Sequence, residues 1–255
     1  HAFGGLSYLT GEPGGPPLTP GSTSLADYIS GLYGALGIML SLRARDDSGR
    51  GQEIDIALYE SIFRVLDEMA PLYAATGFVR PRLGLGTANV CPHGHFECGD
   101  GEWVAIACTS DKMWRRMAEV LGRPELGTDE RYETAANRVA NRDDVDGLVS
   151  AFTLSMPRDK LMQACVAGDV PTAPVYSIAD IFDDPQYRAR ETLVTVEDEK
   201  AGEITVPNVL PRLSETPGRI THLGPSLGDA IQEIYGGELG FSEAELAELK
   251  RDGVI

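Results

Sequence analysis

The stretch that most constrains this chain is residues 24–42, SLADYISGLYGALGIMLSL. It reads as a helix beginning near Ser24. Ser24 followed three residues later by Asp27 fits a capping box, in which the serine takes a free backbone N–H and the acid reaches back. From Leu25 to Leu42 apolar residues fall on nearly every side, which predicts a buried helix. Gly31, Gly34 and Gly37 recur every third residue. Each costs about 1 kcal/mol against alanine in a helix interior. Three together predict very close approach of another backbone. Asp27 then stands in the first turn, and two roles are open to it. It is a helix cap, or it is a carboxylate kept ionised by the positive helix end in a site that largely excludes water. A carboxylate of the second kind can attack an acyl carbon. The local pattern does not decide between them.

The rest of the chain supplies a layout. Residues 11–23 are rich in glycine and proline and read as an extended loop. A polar turn at 43–53 carries Arg43, Arg45 and Arg50, which Asp46 and Asp47 offset, so a solvated helix end is expected there. Residues 54–76 read as a second long helix with Ile56, Tyr59, Phe63 and Leu66 as its stripe, a kink at Pro71 and a stop at Gly77. Gly84 and Gly86 sit in a short loop that permits close backbone approach to a ligand. Cys91, His93, His95 and Cys98 crowd eight residues, but their spacing is not that of a zinc knuckle, and no metal is expected. In extended chain Cys91, His93 and His95 point one way and Cys98 the other. The expected strands are 102–108, 171–177 and a hairpin of 193–198 with 203–207. Helices are expected at 112–121, about 128–133, 138–154, 157–167, 177–182, 226–235 and 242–251. The domain reading is a helical segment of a large domain (1–80), a glycine-containing linker (81–94), a small α+β domain (95–195), and a linker with a C-terminal return to the large domain (196–255).

Charge excludes some functions. Net charge is −17, so binding of nucleic acid or an anionic membrane through the overall field is not expected. No apolar run reaches the ~20 residues of a membrane span without glycine interruption and polar flanks. Four scattered cysteines are too few for a disulfide scaffold, and a reducing, cytoplasmic setting is expected.

Several pieces together resemble one family. They are Leu9-Thr10-Gly11-Glu12 with Gly15-Pro16-Pro17, Ala26-Asp27 with Gly31 and Gly37-Ile38, Gly49-Arg50-Gly51-Gln52, Asp55, and Glu60-Ser61. Later come Gly84-Leu85-Gly86, Trp103 to Ala107, Val175-Tyr176-Ser177 and Asp183-Asp184-Pro185-Gln186. In this order they resemble the family III (CaiB/BaiF-type) CoA-transferases, which include formyl-CoA:oxalate and carnitine CoA-transferases. The resemblance implies an α/β fold: a Rossmann-like large domain, a small α+β domain, and two subunits interlocked as threaded rings.

It also implies an N-terminal segment, with most CoA contacts, ahead of His1. The expected assembly is a homodimer or a complex with that segment. The resemblance places the nucleophile on Asp27 and the reaction as CoA transfer between an acyl-CoA and a carboxylic acid through an aspartyl-CoA thioester. Coenzyme A is substrate there, and no metal or redox cofactor is required. A glycine-rich loop near Gly84 and Gly86 would shield the thioester, and His93 or His95 would touch substrate. The α-methylacyl-CoA racemases share the fold and use the equivalent aspartate in proton transfer. A non-catalytic assembly subunit is the third reading, and Ala230, where the family often has histidine, is a departure that bears on it.

Overall fold

A computed structural model describes residues 1–198 and 200–255. Glu199, in the turn expected between the two hairpin strands, lies outside the described residues. The chain divides into two compact units, residues 1–175 and 176–255.

The first unit opens with α1 (Leu6–Leu9) and the long α2 (Leu25–Ser48). The helix runs beyond Leu42, so Arg43 and Arg45 of the expected turn occupy its last turns, where Arg43 pairs with Asp47 at 3.5 Å, while Arg50 lies past its end. Gly49 ends it in the left-handed conformation, φ 72°, and donates its N–H to the Arg45 carbonyl. The expected capping box is not formed, because the Ser24 side chain makes no capping bond. The imidazole of His1 accepts the Ala26 N–H through Nε2 at 3.3 Å instead, so a residue distant in sequence serves one of the orphan donors.

Only one stripe of α2 is covered. Ser30, Gly34, Gly37 and Ser41 recur at spacings of four, three and four, and all are half-buried. An extended segment, 52–57, runs antiparallel along them. Gln52 donates to Ser41, Ile54 sits against Gly37, Ile56 against Gly34, and Ser30 donates to Ser61 at 2.9 Å. A Cβ on Gly37 would meet Ile54 Cγ2 at 3.2 Å. Two of the three glycines thus admit isoleucine side chains rather than another helix, and Gly31 faces open space. The expectation of a buried helix is corrected: no residue of α2 is buried, and Tyr28, Leu32, Leu36, Ile38, Met39 and Leu40 are exposed. With its three glycines included, α2 is long and apolar enough to cross a membrane by length and composition alone.

The second long helix is broken in three. Residues 52–57 are extended, α3 is Leu58–Arg64 and α4 is Met69–Thr76. Ile54 and Ile56 alternate along α2 with period two, which a helix cannot do. Asp67 adopts φ 53° between α3 and α4, a left-handed turn that aspartate tolerates better than most residues. Pro71 lies in the first turn of α4 and does not kink it, because its missing N–H would have had no helical partner there. Gly77 ends α4 as expected, with φ 71°.

Residues 91–175 form a three-stranded antiparallel sheet packed by helices. Its strands are β1 (His93–Glu97), β2 (Trp103–Ala107) and β3 (Thr172–Pro174), in that order. His93 pairs with Ala107, and Ala105 with Ala173. Around it pack α5 (Asp111–Val120), α6 (Ala135–Ala140), α7 (Arg142–Thr153) and α8 (Arg158–Ala167). Ser110 caps α5 by accepting the Met113 N–H, as the Thr-Ser-Asp signal predicts. The core joins Phe96, Val104, Ile106, Trp114, Met117, Val145, Val149 and Leu161 with all four cysteines. Cys91 therefore turns inward with Cys98, opposite to His93 and His95, which corrects the expectation that it shares their face. Residues 128–133 are turn rather than helix. They bring the Tyr132 carbonyl to a buried guanidinium.

That guanidinium is Arg138, fully enclosed. Its Nε donates to the Cys91 carbonyl at 2.8 Å and Nη1 to the Tyr132 carbonyl at 2.9 Å. Nη2 donates to Asp111 at 3.0 Å. The group also lies over the Trp114 ring, 5.8 Å from its centroid.

The second unit begins with α9 (Ile178–Asp183), where Ser177 and Asp180 form a capping box, and α10 (Pro185–Ala189), capped by Asp184. The hairpin of β4 (Leu193–Asp198) and β5 (Gly202–Pro207) follows the expected pairing. A π-helical stretch over Gln232–Glu238 precedes α11 (Glu243–Arg251), which carries the expected Ser242–Glu245 box.

Arg138→Met should keep the stem's packing and lose the fork. Two buried carbonyls would be left without donors, at ~1–3 kcal/mol each. Urea denaturation should show a loss of about 2–5 kcal/mol, and a loss below 1 kcal/mol would contradict this role.

Candidate active site

Gly84, Gly86 and His93 line one cavity of about 390 Å³ with Asp67, Arg80 and Asn89. Three features of the chain build it. Gly84 is left-handed, φ 59°, and its N–H reaches the Gly11 carbonyl at 3.1 Å. A Cβ there would meet Pro13 Cδ at 3.2 Å, and the residue carrying it would have to adopt the left-handed φ, so glycine suits the loop's approach to residues 11–13. Next, Gly86 forms an antiparallel bridge with Gly94, and the His95 N–H donates to the Leu85 carbonyl at 3.1 Å. The loop is thereby stitched to the start of β1. A Cβ on Gly94 would meet the Leu85 carbonyl oxygen at 2.3 Å. The third feature is α4 and its approach: Glu68 takes the Arg80 guanidinium and also accepts the Asn89 amide at 2.8 Å. The Asn89 hydrogen bond, with the Arg80 charge behind it, holds Glu68 below the usual carboxylate range.

His93 is half-buried, and its Nδ1 is enclosed with no hydrogen-bond partner among the described residues. An enclosed ring nitrogen left unpaired costs free energy unless a ligand or water meets it. His95 is exposed, does not line the cavity, and contributes through its backbone. Asp27 is also exposed and does not line this cavity. It stands in the first turn of α2, beside the His1–Ala26 hydrogen bond.

Sequence reasoning missed Glu12, Arg80, Asn89 and Arg142, all of which shape the loop. Arg142 Nη2 donates to the carbonyls of Ala88 and Val90 at 3.2 and 3.1 Å. The signal available was the proline after Arg80 and the Asn-Arg pair at 141–142, neither of which names a partner far along the chain. Among the described residues, no three His, Cys, Asp or Glu side chains gather as a metal site. Cys91 sits under the loop and donates its thiol to Asp146 at 3.4 Å. Burial, with the Asp146 charge adding to it, pushes that thiol up to about 12. Burial does the same for Cys108. Burial also raises Asp146 itself, with the Cys91 and Arg142 contacts opposing.

These shifts give a signed pH dependence. A thiol raised in the folded state contributes stability that is complete below its ordinary value of 9.0 and is lost as pH rises toward about 12. Denaturation midpoints should therefore fall between pH 9 and 12. At pH 8 the folded protein should resist iodoacetamide at all four buried cysteines, and rapid labelling without unfolding would contradict their burial.

The model of the CoA-transferase family III matches residues 1–230. The chain is 48% identical over 255 residues to the succinyl-CoA–L-malate CoA-transferase alpha subunit of Chloroflexus aurantiacus, covering all of this chain and 60% of that one. It is 46% identical over 257 aligned residues to the beta subunit from the same organism, covering 64% of it. A CaiB/BaiF family protein from Brucella suis superposes with a TM-score of 0.74 at 31% identity, over 92% of this chain and 60% of that one. The chain thus spans about three-fifths of the length of these relatives. Its fold is that of the family III CoA-transferases, and the chain belongs to this family.

Proposed function

We propose that the protein containing this chain transfers coenzyme A from an acyl-CoA to a free carboxylic acid, with Asp27 as nucleophile. The observation that supports it most is the match to CoA-transferase subunits across all 255 residues, with a carboxylate held at the head of α2. The relatives' names supply the substrate class: succinyl-CoA as donor and a small hydroxy dicarboxylate such as L-malate as acceptor.

The steps follow from carboxylate chemistry. An Asp27 oxygen attacks the thioester carbonyl, the C–S bond breaks, and CoA leaves as thiolate. The resulting mixed anhydride is attacked by that thiolate at the Asp27 carbonyl, which releases the donor acid and leaves an aspartyl-CoA thioester. The acceptor carboxylate attacks this thioester, and the same two steps run in reverse. No oxidant, reductant or metal enters the balance. Water is the competitor at every stage, so the chemistry needs a site that closes. In this reading the Gly84–Gly86 loop and the His93 cavity receive the substrate, and His93 Nδ1 meets a polar group of the acceptor.

The assembly belongs to the same proposal. The exposed apolar face of α2 exceeds what a single chain leaves to solvent without purpose, and the relatives are named as alpha and beta subunits. We infer a dimer, of this protein with itself or with a related subunit, that covers this face. A reducing, cytoplasmic compartment suits its four free thiols. A compact, stably folded monomer in sedimentation of the full-length protein at micromolar concentration would refute the assembly.

Asp27→Asn keeps size and some capping ability but cannot form the anhydride. Exchange by the full-length enzyme should fall at least a thousandfold while folding survives. Incubation with succinyl-CoA alone should load CoA on the peptide spanning residues 22–43, and hydroxylamine should release it. Normal exchange in Asp27→Asn would sink the assignment. Deuterium uptake next to the thioester, without exchange, would point to the racemase chemistry instead. His93→Ala should raise the acceptor KM about tenfold, equivalent to one hydrogen bond of ~1.4 kcal/mol, and leave the donor KM near its original value.

A further inference from the structure

We propose that Arg142 is a positioning residue that clamps the 84–90 loop, and that this clamp decides whether the enzyme-bound thioester is passed to the acceptor or lost to water. The proposal rests on the functional reading above for its chemistry, and on the geometry of α7 for the clamp itself.

The loop leaves carbonyls that no strand takes up. Between the Gly86–Gly94 bridge and β1, the Ala88 and Val90 carbonyls both accept from Arg142 Nη2, at 3.2 and 3.1 Å, and the Val90 carbonyl also accepts the Thr87 hydroxyl at 3.4 Å. The same guanidinium reaches Gly86, where a Cβ would come within 3.2 Å of Nη1. One turn later on α7, Asp146 stands 3.9 Å from Arg142 and accepts the Cys91 thiol at 3.4 Å. A single helical face, spaced i and i+4, therefore holds the loop at residues 86–90 and again at 91. The α7 helix is itself anchored: Val145, Val149 and Thr153 are buried, and Thr153 donates to the Glu97 carbonyl at 2.7 Å. The loop is thus fastened to the rigid core, while residues of the same stretch line the cavity beside His93.

Arginine suits this task because its planar fork serves several acceptors from one side chain. A lysine at 142 keeps the charge but lacks the second nitrogen, Nη1, that faces Asp146 while Nη2 serves the loop. The competing reaction is simple: water attacks the aspartyl-CoA carbonyl, the C–S bond breaks, and CoA and the Asp27 carboxylate are regenerated with the thioester energy lost. A loop that opens more often admits water more often.

Two readouts separate this proposal from the nucleophile assignment. Hydrogen exchange on the substrate-free, full-length enzyme needs no chemistry. Arg142→Ala should speed exchange of the Gly86 and His95 amides at least tenfold, while amides of β2 and α5 keep their protection. In turnover, Arg142→Ala should raise the ratio of succinyl-CoA hydrolysis to transfer at least tenfold, and Arg142→Lys should fall between it and the native enzyme. Unchanged loop exchange, or faster exchange with an unchanged partition ratio, would overturn the clamp. A general loss of protection across β2 and α5 would reduce Arg142 to a structural residue and would also overturn it. Failure of the native enzyme to form an Asp27 adduct would strike the functional reading alone, since the exchange result stands apart from it.

Discussion

The Arg138 guanidinium is the interaction on which the small α+β core depends. Few side chains of this charge are enclosed completely, and one that is must find its acceptors inside. Here they come from three places: the entry to β1 at Cys91, the turn at Tyr132, and the first residue of α5 at Asp111. The fork therefore fixes where the loop enters the sheet relative to two helices. Trp114, stacked beneath it, spends its own N–H on the Leu126 carbonyl. A hydrophobic residue at 138 would fill the volume but would not say where Cys91 belongs. Once Cys91 is placed, Asp146 and then Arg142 lie opposite the preceding residues, so the loop's position follows from the core's polar wiring.

Much of this fold was legible where the determinants are local. Ser110 before α5, Ser177 and Asp180 at α9, Ser242 and Glu245 at α11, and Gly77 after α4 all behave as their types predict. The β4–β5 hairpin follows from its alternation. Errors came where a distant partner decides. Ile54 and Ile56 have a helical neighbourhood in sequence, yet the glycine stripe of α2 recruits them as an extended strip. Ser24 has the cap composition, yet His1 takes the N–H it would have left exposed. Residues 128–133 look helical, yet Arg138 needs their backbone as a turn.

The site shows the same division. Gly84 and Gly86 are legible as a glycine pair that permits close backbone approach, and both line the cavity. His93 and His95 read alike, as histidines at a strand start; His93 lines the cavity, while the His95 ring is exposed and its amide bonds to the Leu85 carbonyl. Arg142 was invisible: its acceptors are backbone carbonyls 52 and 54 residues away, and a carbonyl has no sequence signature. Positioning residues of this sort are read from structure or not at all.

Two features of the chain fit one requirement. A thioester exchanged between acids needs an enclosure that is dry when loaded and open when substrates pass. In the proposed reading the loop answers the second part, and its attachment to α7 by a few hydrogen bonds suits that role. Hydrogen bonds of this kind contribute about 1 kcal/mol each, so breaking two or three is feasible within a catalytic cycle, whereas extracting a core side chain at ~2–5 kcal/mol is less so. The α2 face concerns the first part. Its small stripe seats residues 52–57 closely, and its broad apolar side stays free for a larger protein surface. A helix bare on that side is a poor floor for a water-excluding site, and a helix covered there is a good one. The exposure of α2 and the chemistry proposed for Asp27 therefore point the same way: in the proposed reading, the helix that carries Asp27 is covered by further protein, and the site is kept dry by that cover as much as by the loop.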